Sequence, residues 1–373
     1  MHYFIYATKD AWISSGSNHI DTVYTDANYG QDEMLELKKE FWNLAFDYPT
    51  RALISFAGTE FTNVSQSIAD GTISSPKFYL RLYEAEGVQE LSTEYKIAAY
   101  PLSQSWAEGT GKYGDRPKVT NGVSWENRNY YPGASAVTWS NATGTSSFGG
   151  RYITASGWIA SQSFSNESPD VNMDITDMVN KWLNKSVDNH GMILRFSASQ
   201  ETNDETHGKL KFFSANTNTI YTPKLEVRWD DHKPCTGSNT GSLLPMTMSG
   251  APDYTLYMRG LRESYKENEK VKFRVIPRKR YIQKTFSTSV QTITGSFIPE
   301  GSGSYSIVDM ATGETVVPFS AYTSMSCDST SNYFDQWLNS FQPNRAYKIM
   351  YRIKFNDNQE IIYDDNFQFK VSL

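Results

Sequence analysis

Turn-forming residues interrupt this sequence at short, regular intervals, and this spacing limits the possible folds more than any other feature. The intervening segments, about four to eight residues long, are alternating or continuously apolar. In residues 77–83 (KFYLRLY), Phe78, Leu80 and Leu82 fall on one face of a strand and the polar residues on the other. The pattern predicts an all-β fold, built as a β-sandwich with one apolar face per sheet.

A polar stretch after residue 230 divides the chain. Residues 230–242 (DDHKPCTGSNTGS) hold almost no apolar side chain, so we interpret residues 231–245 as a linker. It separates a domain at 1–230 from a smaller β-sandwich at 246–373, whose size is that of an immunoglobulin-like unit. Strand-like segments in the second domain lie at 255–258, 271–276, 304–308, 347–355 and 367–371. Residues 357 and 358 predict a hairpin turn between two of its strands.

Two segments of the first domain have helical character. Apolar residues Ile175, Met178, Val179 and Trp182 recur at helical spacing and predict a two-turn helix, with Asp174 or Thr176 as its cap. Residues 32–46 are ambiguous, because their composition favours a helix while residues 34–39 also suit a strand. The family resemblance described below favours the strand.

Composition and charge exclude several classes of protein. With 39% hydrophobic, 14% aromatic and 20% charged residues, the chain is neither disordered nor a coiled coil. Its formal net charge of −6 argues against nucleic-acid binding, and its apolar runs are too short for a membrane helix. The first ten residues lack the features of a signal peptide, so we expect no export by that route.

No catalytic or cofactor motif appears in the sequence. Residues 144–150 (GTSSFGG) have the wrong spacing for a nucleophile elbow, and the five histidines are scattered. Cys235 and Cys327, the only cysteines, lack the spacing of metal ligands and weakly indicate synthesis in a reducing compartment. We therefore expect no catalytic residue, no metal and no cofactor.

Glu108 and a set of four residues with side-chain oxygens leave alternatives open. Glu108 is the best candidate for a glycosidase acid, although a structural role in a turn is the favoured interpretation. Asp26, Asn28, Asp32 and Glu33 could supply oxygen ligands to a structural calcium ion, but the regular twelve-residue calcium loop is absent.

Two surfaces are candidates for interaction. The aromatic segment 125–133 (WENRNYYPG) contains Arg128, Tyr130 and Tyr131, which could stack on sugar rings, dock on a neighbouring subunit, or pack on their own domain. The basic cluster of the second domain could face an acidic neighbour or bind phosphate, while a solvated strand face is the favoured interpretation. Its members are Arg274, Arg278, Lys279, Arg280 and Lys284.

An ordered series of short motifs runs through residues 10–230. No single motif is specific, but the series as a whole resembles the DNRLRE family, a jelly-roll β-sandwich related in shape to carbohydrate-binding modules. The motifs are DAWI (10–13), NYG (28–30), LEL (35–37), RALISF (51–56), FYLRLY (78–83), SWAEGTG (105–111), GVSW (122–125), DIT (174–176) with Trp182, NHGMIL (189–194) and PKLEV (223–227).

The resemblance implies a jelly-roll β-sandwich followed by a smaller immunoglobulin-like β-sandwich. Chains with a PKLEVRWDD ending on the first domain and a β-sandwich after it resemble structural proteins of tailed bacteriophages. The resemblance therefore implies a virion component of the neck, tail, baseplate or fibre attachment. Such a protein is made in the host cytoplasm and needs no export signal.

The sequence supports a leading hypothesis and two alternatives. The leading hypothesis is a non-enzymatic virion structural protein that binds other virion subunits in several symmetric copies. The first alternative is a glycan-binding adhesion module for host-surface sugars, and the second is a glycoside hydrolase using Glu108.

Overall fold

The computed structural model describes residues 1–16, 24–42, 46–87, 94–140, 148–165, 170–249, 253–282, 286, 288–290, 293–356 and 358–373. The chain divides into two units. The N-terminal unit is Phe4–Val227, and the C-terminal unit is Arg228–Leu373 together with Met1–Tyr3. Strands dominate both units, so the predicted all-β sandwich class is confirmed. The finer domain boundaries stay a prediction.

Up to Arg228 the structure contains fourteen described strands and three helices. The strands are β1 (His2–Tyr6), β2 (Lys9–Ser14), β3 (Met34–Trp42), β4 (Phe46–Ser55), β5 (Lys77–Leu82), β6 (Glu84–Gly87), β7 (Glu94–Pro101), β8 (Asn127–Asn129), β9 (Val137–Thr138), β10 (Ala160–Ser165), β11 (Val171–Asp174), β12 (Met192–Phe196), β13 (Gly208–Phe213) and β14 (Lys224–Arg228). The helices are α1 (Thr59–Ala69), α2 (Thr176–Leu183) and α3 (Ala198–Glu201).

Two main sheets form this part of the molecule, counting only the described residues. The smaller has the order β1-β14-β5-β11, and the larger has the order β10-β7-β12-β4-β3-β13-β6, with β2 also paired to β4. Strands β8 and β9 form a separate ribbon. In β5 the apolar Phe78, Leu80 and Leu82 are buried and alternate with more exposed polar residues, which confirms the predicted face.

The ambiguous segment 32–46 contains the strand β3, as the resemblance implied. Leu35 and Leu37 are buried, while Glu36 and Lys38 alternate with them along the strand. Pairing with β13 and β4 satisfies the backbone groups of β3, and this pairing overrides the helical propensity of the residues.

The predicted helix at 175–183 is confirmed as α2. Met178, Val179 and Trp182 are buried along one face, and the Asp174 carboxylate accepts a hydrogen bond from the Thr176 amide at 2.9 Å. Helix α1 was not predicted from the sequence. Its only fully buried side chain is Val64, so it lacks the apolar stripe by which a helix is found.

The C-terminal unit adds eleven described strands, one helix and two short 3-10 helices. They are α4 (Gly237–Thr240), β15 (Leu244–Pro245), β16 (Tyr254–Arg259), β17 (Ser264–Lys266), β18 (Lys270–Lys279), β19 (Ser296–Phe297), β20 (Gly303–Asp309), β21 (Thr315–Val317), β22 (Ser326–Cys327), β23 (Asn332–Trp337), β24 (Ala346–Lys354) and β25 (Glu360–Ser372), with 3-10 turns at Ala321–Thr323 and Leu338–Ser340.

These strands form two main sheets among the described residues, β16-β18-β23-β22 and β17-β25-β24-β20-β21. Their core is a cluster of aromatic rings in which Tyr305 stacks on Phe334 with ring centroids 3.7 Å apart. At the β24–β25 turn, Asn358 adopts a positive φ of 60°, while residue 357 of the predicted hairpin lies outside the described residues.

Residues 231–245, interpreted above as a linker, are anchored within the C-terminal unit. Cys235 is buried, and its amide donates to the Glu300 carboxylate at 2.6 Å. The Lys233 amide donates to the Ser326 hydroxyl at 3.0 Å, and β15 pairs in parallel with β19. The segment is held mainly by hydrogen bonds of its backbone, and composition gives no signal for such anchoring.

The helices are short. None of those that the structure describes combines the length and the apolar composition that a membrane span requires.

Candidate functional site

The N-terminal unit contains an open cavity of about 360 Å³ beside strands β2, β3 and β13. This volume lies within the range of small-ligand sites, about 300 to 1,000 Å³. The lining combines aromatic rings with acidic and basic side chains. Its residues are Trp12, Ser14, Gly16, Tyr24, Tyr29, Glu36, Lys38, Glu40, Tyr113, Arg116 and Lys209.

Three aromatic rings form one wall of the cavity. Trp12 and Tyr29 are stacked, with centroids 3.8 Å apart and planes 3° from parallel. Tyr113 continues the wall, with its centroid 6.1 Å from Trp12 and 6.5 Å from Tyr29. Trp12 and Tyr29 are buried, but Tyr113 is 64% exposed. The wall therefore ends in a largely exposed ring.

Hydrogen bonds fix the orientation of the aromatic wall. The Trp12 indole Nε1–H donates to Asp32 Oδ2 at 3.0 Å. Burial raises the pKa of Asp32, although the hydrogen bond from Trp12 acts in the opposite direction. Because the indole is held by a carboxylate at one edge, its position beside the cavity is fixed before any ligand arrives.

The buried Asn28 fixes the loop that carries Tyr29. Its Nδ2 group donates to the backbone oxygens of Glu108 and Val123, both at 2.7 Å, and its Oδ1 accepts from the Gly111 amide at 2.8 Å. Gly109 has a positive φ of 87°, and a Cβ there would lie 2.3 Å from Asn28 Oδ1. Only glycine allows this close approach.

The floor of the cavity carries charges of both signs. Glu36, Lys38 and Glu40 come from alternate positions of β3, and Lys209 of β13 is the register partner of Lys38. The Lys38 ammonium lies 3.3 Å from Glu40 and 4.0 Å from Glu36. Burial raises the pKa of Glu36, and the nearby lysines act in the opposite direction. Hydrogen-bond acceptors and donors are thus presented side by side.

The aromatic segment predicted as an interaction surface lies outside this cavity. Arg128 donates to the backbone oxygen of Ser105 at 2.9 Å, and the Tyr130 carbonyl accepts from the Gly122 amide at 2.6 Å. Tyr131 is 51% exposed in the turn that follows β8. The segment is partly packed on its own unit, and its role in binding stays a prediction.

The predicted basic cluster lies in the C-terminal unit. Arg274 is paired with the Asp328 carboxylate by two hydrogen bonds of 2.9 and 2.7 Å. Arg278 and Lys279, at the end of β18, line an open cavity of about 480 Å³ with apolar neighbours. The Arg280 amide donates to the Asp253 carbonyl at 2.7 Å. Lys284 lies outside the described residues.

The four candidate calcium ligands do not converge on one point. Asp26 is paired with Lys118, Asn28 bonds the backbone groups described above, and Asp32 accepts from Trp12. Glu33 lies 3.7 Å from Lys112. Among the residues described by the structure, no cluster of three or more His, Cys, Asp or Glu side chains forms a metal site.

Glu108 lies next to a second carboxyl group, that of Asp10. Its Oε1 accepts from the Asp10 amide at 3.0 Å, while Asp10 Oδ2 accepts from the Ala215 amide at 2.6 Å. Burial raises the pKa of Asp10 to about 7 and also raises the pKa of Glu108. Asp10 is almost completely buried. Each carboxyl accepts a hydrogen bond from the backbone of another segment, and the structural role of Glu108 stays a prediction.

Comparison with known protein families gives one informative match. Residues 2–126 match carbohydrate-binding module family 96. The match covers the N-terminal third of the chain and is consistent with a carbohydrate-binding-module-like domain there. It contains no information on the resemblance to the DNRLRE family or to bacteriophage proteins, which stays a prediction. A search of the curated proteins finds no match to the chain.

Three solved structures are distantly similar. They are a β-glucuronidase of Parabacteroides merdae (11% identity, 79% of this chain and 28% of that one, TM-score 0.18), the adhesin domain of Epf from Streptococcus pyogenes (7%, 100% and 92%, 0.17) and β-glucuronidase 3 of Bacteroides uniformis (9%, 79% and 27%, 0.18). The chain spans just over a quarter of the length of the glucuronidases. TM-scores this low carry no argument about fold or function.

Sequence reasoning missed the cavity although it had singled out some of its parts. Trp12, Tyr29 and Glu36 belong to the ordered motifs, which support the family resemblance but do not indicate a binding site. Tyr113 lies in the glycine-rich segment 109–114 (GTGKYG), and a lone aromatic residue in such a loop is a signal for an exposed ring. The alternation of Glu36, Lys38 and Glu40 on one strand was the other signal.

Proposed function

We propose that the N-terminal unit is a glycan-binding module whose site is the cavity walled by Trp12, Tyr29 and Tyr113. The observation that carries the proposal is the exposed ring of Tyr113 at the end of a fixed aromatic stack, directly beside a charged floor. The match to carbohydrate-binding module family 96 supports it.

The lining suits the chemistry of sugars. One face of a pyranose ring presents C–H groups, which pack on the electron-rich face of an aromatic ring. The hydroxyl groups at the ring edge both donate and accept hydrogen bonds, and Glu36, Lys38 and Lys209 offer both kinds of partner. Because Asp32 already holds the Trp12 indole, that side chain loses little freedom on binding.

The cavity is favoured over the aromatic segment 125–133. Ten of its eleven lining residues lie within the matched residues 2–126, with Lys209 as the exception. Arg128, Tyr130 and Tyr131 lie beyond the end of that match. The cavity also joins aromatic and charged groups in one concave surface, which the exposed turn at Tyr131 lacks.

Glycan-array screening of the full chain, followed by calorimetry with the sugar that binds, tests the proposal. Tyr113→Ala should weaken binding about tenfold or more, because it removes the stacking face. The matched control is Tyr131→Ala, an exposed tyrosine of the same unit, and its affinity should stay near that of the unmodified chain. Equal loss in both variants, loss only in Tyr131→Ala, or no affinity for any glycan would refute the assignment.

Binding without catalysis is part of the proposal. The carboxyls of the buried Asp10 and the half-buried Glu108 accept hydrogen bonds from backbone amides, and this supports a structural role. Neither the unmodified chain nor Glu108→Gln should release sugar from a bound glycan in a reducing-end assay. Hydrolysis that disappears in Glu108→Gln would establish the glycosidase alternative.

A virion structural role is the second candidate function. It is supported by an exposed apolar surface on the C-terminal unit, where Leu244, Tyr257 and Ile293 line a cavity together with Arg278 and Lys279. Apolar surface with a basic rim suits a neighbouring protein subunit with an acidic rim. Several symmetric copies on a particle, assembled from the host cytoplasm, would place such surfaces against other virion proteins.

Gene position and particle imaging test this second function. We expect the reading frame to lie among portal, sheath and baseplate genes, and we expect density for the chain in the purified particle. Replacing both Arg278 and Lys279 by Glu should abolish incorporation of the chain into particles. Particles that assemble fully without the chain and contain no density for it would contradict a virion role while leaving glycan binding untouched.

A further inference from the structure

The two cysteines of the chain lie side by side in the C-terminal unit. Cys235 and Cys327 are both buried, enclosed by Phe297 and Leu243, and both are free thiols. The Asn332 side-chain nitrogen lies 3.0 Å from the Cys327 sulfur and 3.4 Å from the Cys235 sulfur. Both sulfur atoms accept from the same amide group and belong to one buried cluster, so the two thiols are neighbours.

The backbones that carry the two cysteines run alongside each other. The Cys327 amide donates to the Lys233 carbonyl at 3.2 Å, and the Cys235 thiol donates to the Met325 carbonyl at 3.5 Å. Asn332 is itself fixed, because its Oδ1 accepts from the Ile298 amide at 2.7 Å. A disulfide needs neighbouring backbone segments, with Cα atoms usually about 4.4 to 6.8 Å apart. The contacts at Lys233 and Met325 place the segments that carry the two cysteines side by side.

We infer that Cys235 and Cys327 form an intramolecular disulfide when the chain meets a small-molecule disulfide such as oxidised glutathione. One cysteine thiolate attacks the reagent, displaces one glutathione thiolate and forms a mixed disulfide. The second cysteine thiolate then attacks the protein sulfur of that bond and displaces the other glutathione. The two cysteines are oxidised, the reagent is reduced to two thiols, and the two cysteine protons pass to the released thiolates.

Burial of the two thiols makes this reaction slow. The neighbouring Cys235 thiol and burial raise the pKa of the Cys327 thiol, so little of the reactive thiolate is present. Attack therefore requires residues 231–245 to open. Few of the side chains in this segment are buried, so such opening is local. Once formed, the bond ties the segment to β22 and closes a loop of about ninety residues.

Thiol counting on the full chain tests the inference. Before treatment, a thiol reagent in denaturant should find two free thiols; after incubation with oxidised glutathione it should find none. The intact mass should fall by two hydrogen atoms, and a peptide containing both cysteines should appear after digestion. The oxidised chain should unfold at a higher denaturant concentration than the reduced chain, and a thiol reductant should reverse the shift.

Single variants provide the controls. Cys235→Ser and Cys327→Ser should each accept at most one glutathione and show no gain in stability with oxidant. Two free thiols remaining after treatment, glutathione adducts without the cross-link, or a disulfide between two chains would overturn the inference. Oxidised chain that unfolds at lower denaturant would also overturn it, because the fold would then not accommodate the bond. These readouts involve no glycan and are independent of the proposed function.

Discussion

The two units use stacked aromatic rings in opposite ways. In the C-terminal unit, Tyr305 and Phe334 stack at 3.7 Å and further rings surround them, including Phe273 at 5.2 Å from Phe334. In the N-terminal unit, Trp12 and Tyr29 stack at 3.8 Å, and the next ring along is the exposed Tyr113. The first stack is enclosed by core residues, whereas the second borders an open cavity.

This difference shows that stacking alone does not determine the role of aromatic rings. Their role depends on whether the outermost ring is covered by the protein or exposed beside polar groups. Burial of a covered ring contributes to the free energy of folding. An exposed ring is buried only when a ligand packs on it, so its burial contributes to the free energy of binding. Substitutions in the two stacks should therefore separate stability from binding.

Phe334→Ala should give the largest change in stability. Removing a fully enclosed ring leaves a cavity in the C-terminal core and should reduce the free energy of unfolding by about 3 to 5 kcal/mol. Denaturant unfolding followed by fluorescence measures it, and Tyr113→Ala is the matched control, with a change within about 0.5 kcal/mol. Similar losses of unfolding free energy in the two variants would contradict the proposed difference between the two stacks.

Buried aspartates provide a second contrast between the units. Burial raises the pKa of Asp10 to about 7, with the charge of Glu108 acting in the same direction. Burial acts on Asp309 in the same way, but the hydrogen bonds from Arg345, Thr312 and Ala311 outweigh it, so the pKa of Asp309 is lowered. The two groups should thus respond to pH with opposite sign.

A raised pKa in the folded state means that protonated Asp10 stabilises the N-terminal unit. This contribution is fully present below about pH 4 and is lost as the pH rises through about 7, by up to about 4 kcal/mol. Asp10→Asn should flatten the profile in that window, whereas the exposed Asp70→Asn should not. The measurement is the free energy of unfolding from pH 4 to 8. If its dependence on pH were the same in Asp10→Asn as in the unmodified chain, the burial argument would be contradicted.

Asn28→Ala tests how the open wall is held. Losing its bonds to Glu108, Val123 and Gly111 should cost about 2 to 3 kcal/mol of stability. Binding of glycan should weaken as well, because Tyr29 follows directly in the chain. Asn121→Ala, a less buried asparagine, should cost under about 1 kcal/mol. Lower stability with unchanged glycan affinity would show that the wall does not depend on this loop.

Glu36→Gln should have the smallest effect on folding and act on binding. Glu36 lines the cavity floor, and losing its charge should weaken glycan affinity about tenfold if it accepts a sugar hydroxyl. Glu33→Gln is the control, because Glu33 lies on the same segment without lining the cavity. Calorimetry on both variants measures the difference, and equal affinities would remove Glu36 from the site.

The sequence predicted the β-sandwich class well because alternation is a local property. The buried faces of β5 and α2 could be read from the spacing of Phe78 to Leu82 and of Met178 to Trp182. Strand β3 required the family resemblance, since its own residues favour a helix. Helix α1 and the anchoring of residues 231–245 gave no signal, because few apolar side chains are involved.

The cavity could not be predicted because strand pairing brings its parts together. Lys209 lies beside Lys38 only through the register of β13 on β3, and no pattern along the chain gives that register. Tyr113 reaches Trp12 across about a hundred residues of sequence. Local patterns identify which side chains are exposed, whereas the choice of neighbours depends on the tertiary structure.

A crystal structure with the glycan selected on the array tests the central claim most directly. We expect a sugar ring with its C–H face on Tyr113 and hydroxyl groups within hydrogen-bond distance of Glu36, Lys38 or Lys209. A glycan bound instead at Tyr130 and Tyr131, or in the C-terminal cavity beside Arg278, would contradict the account.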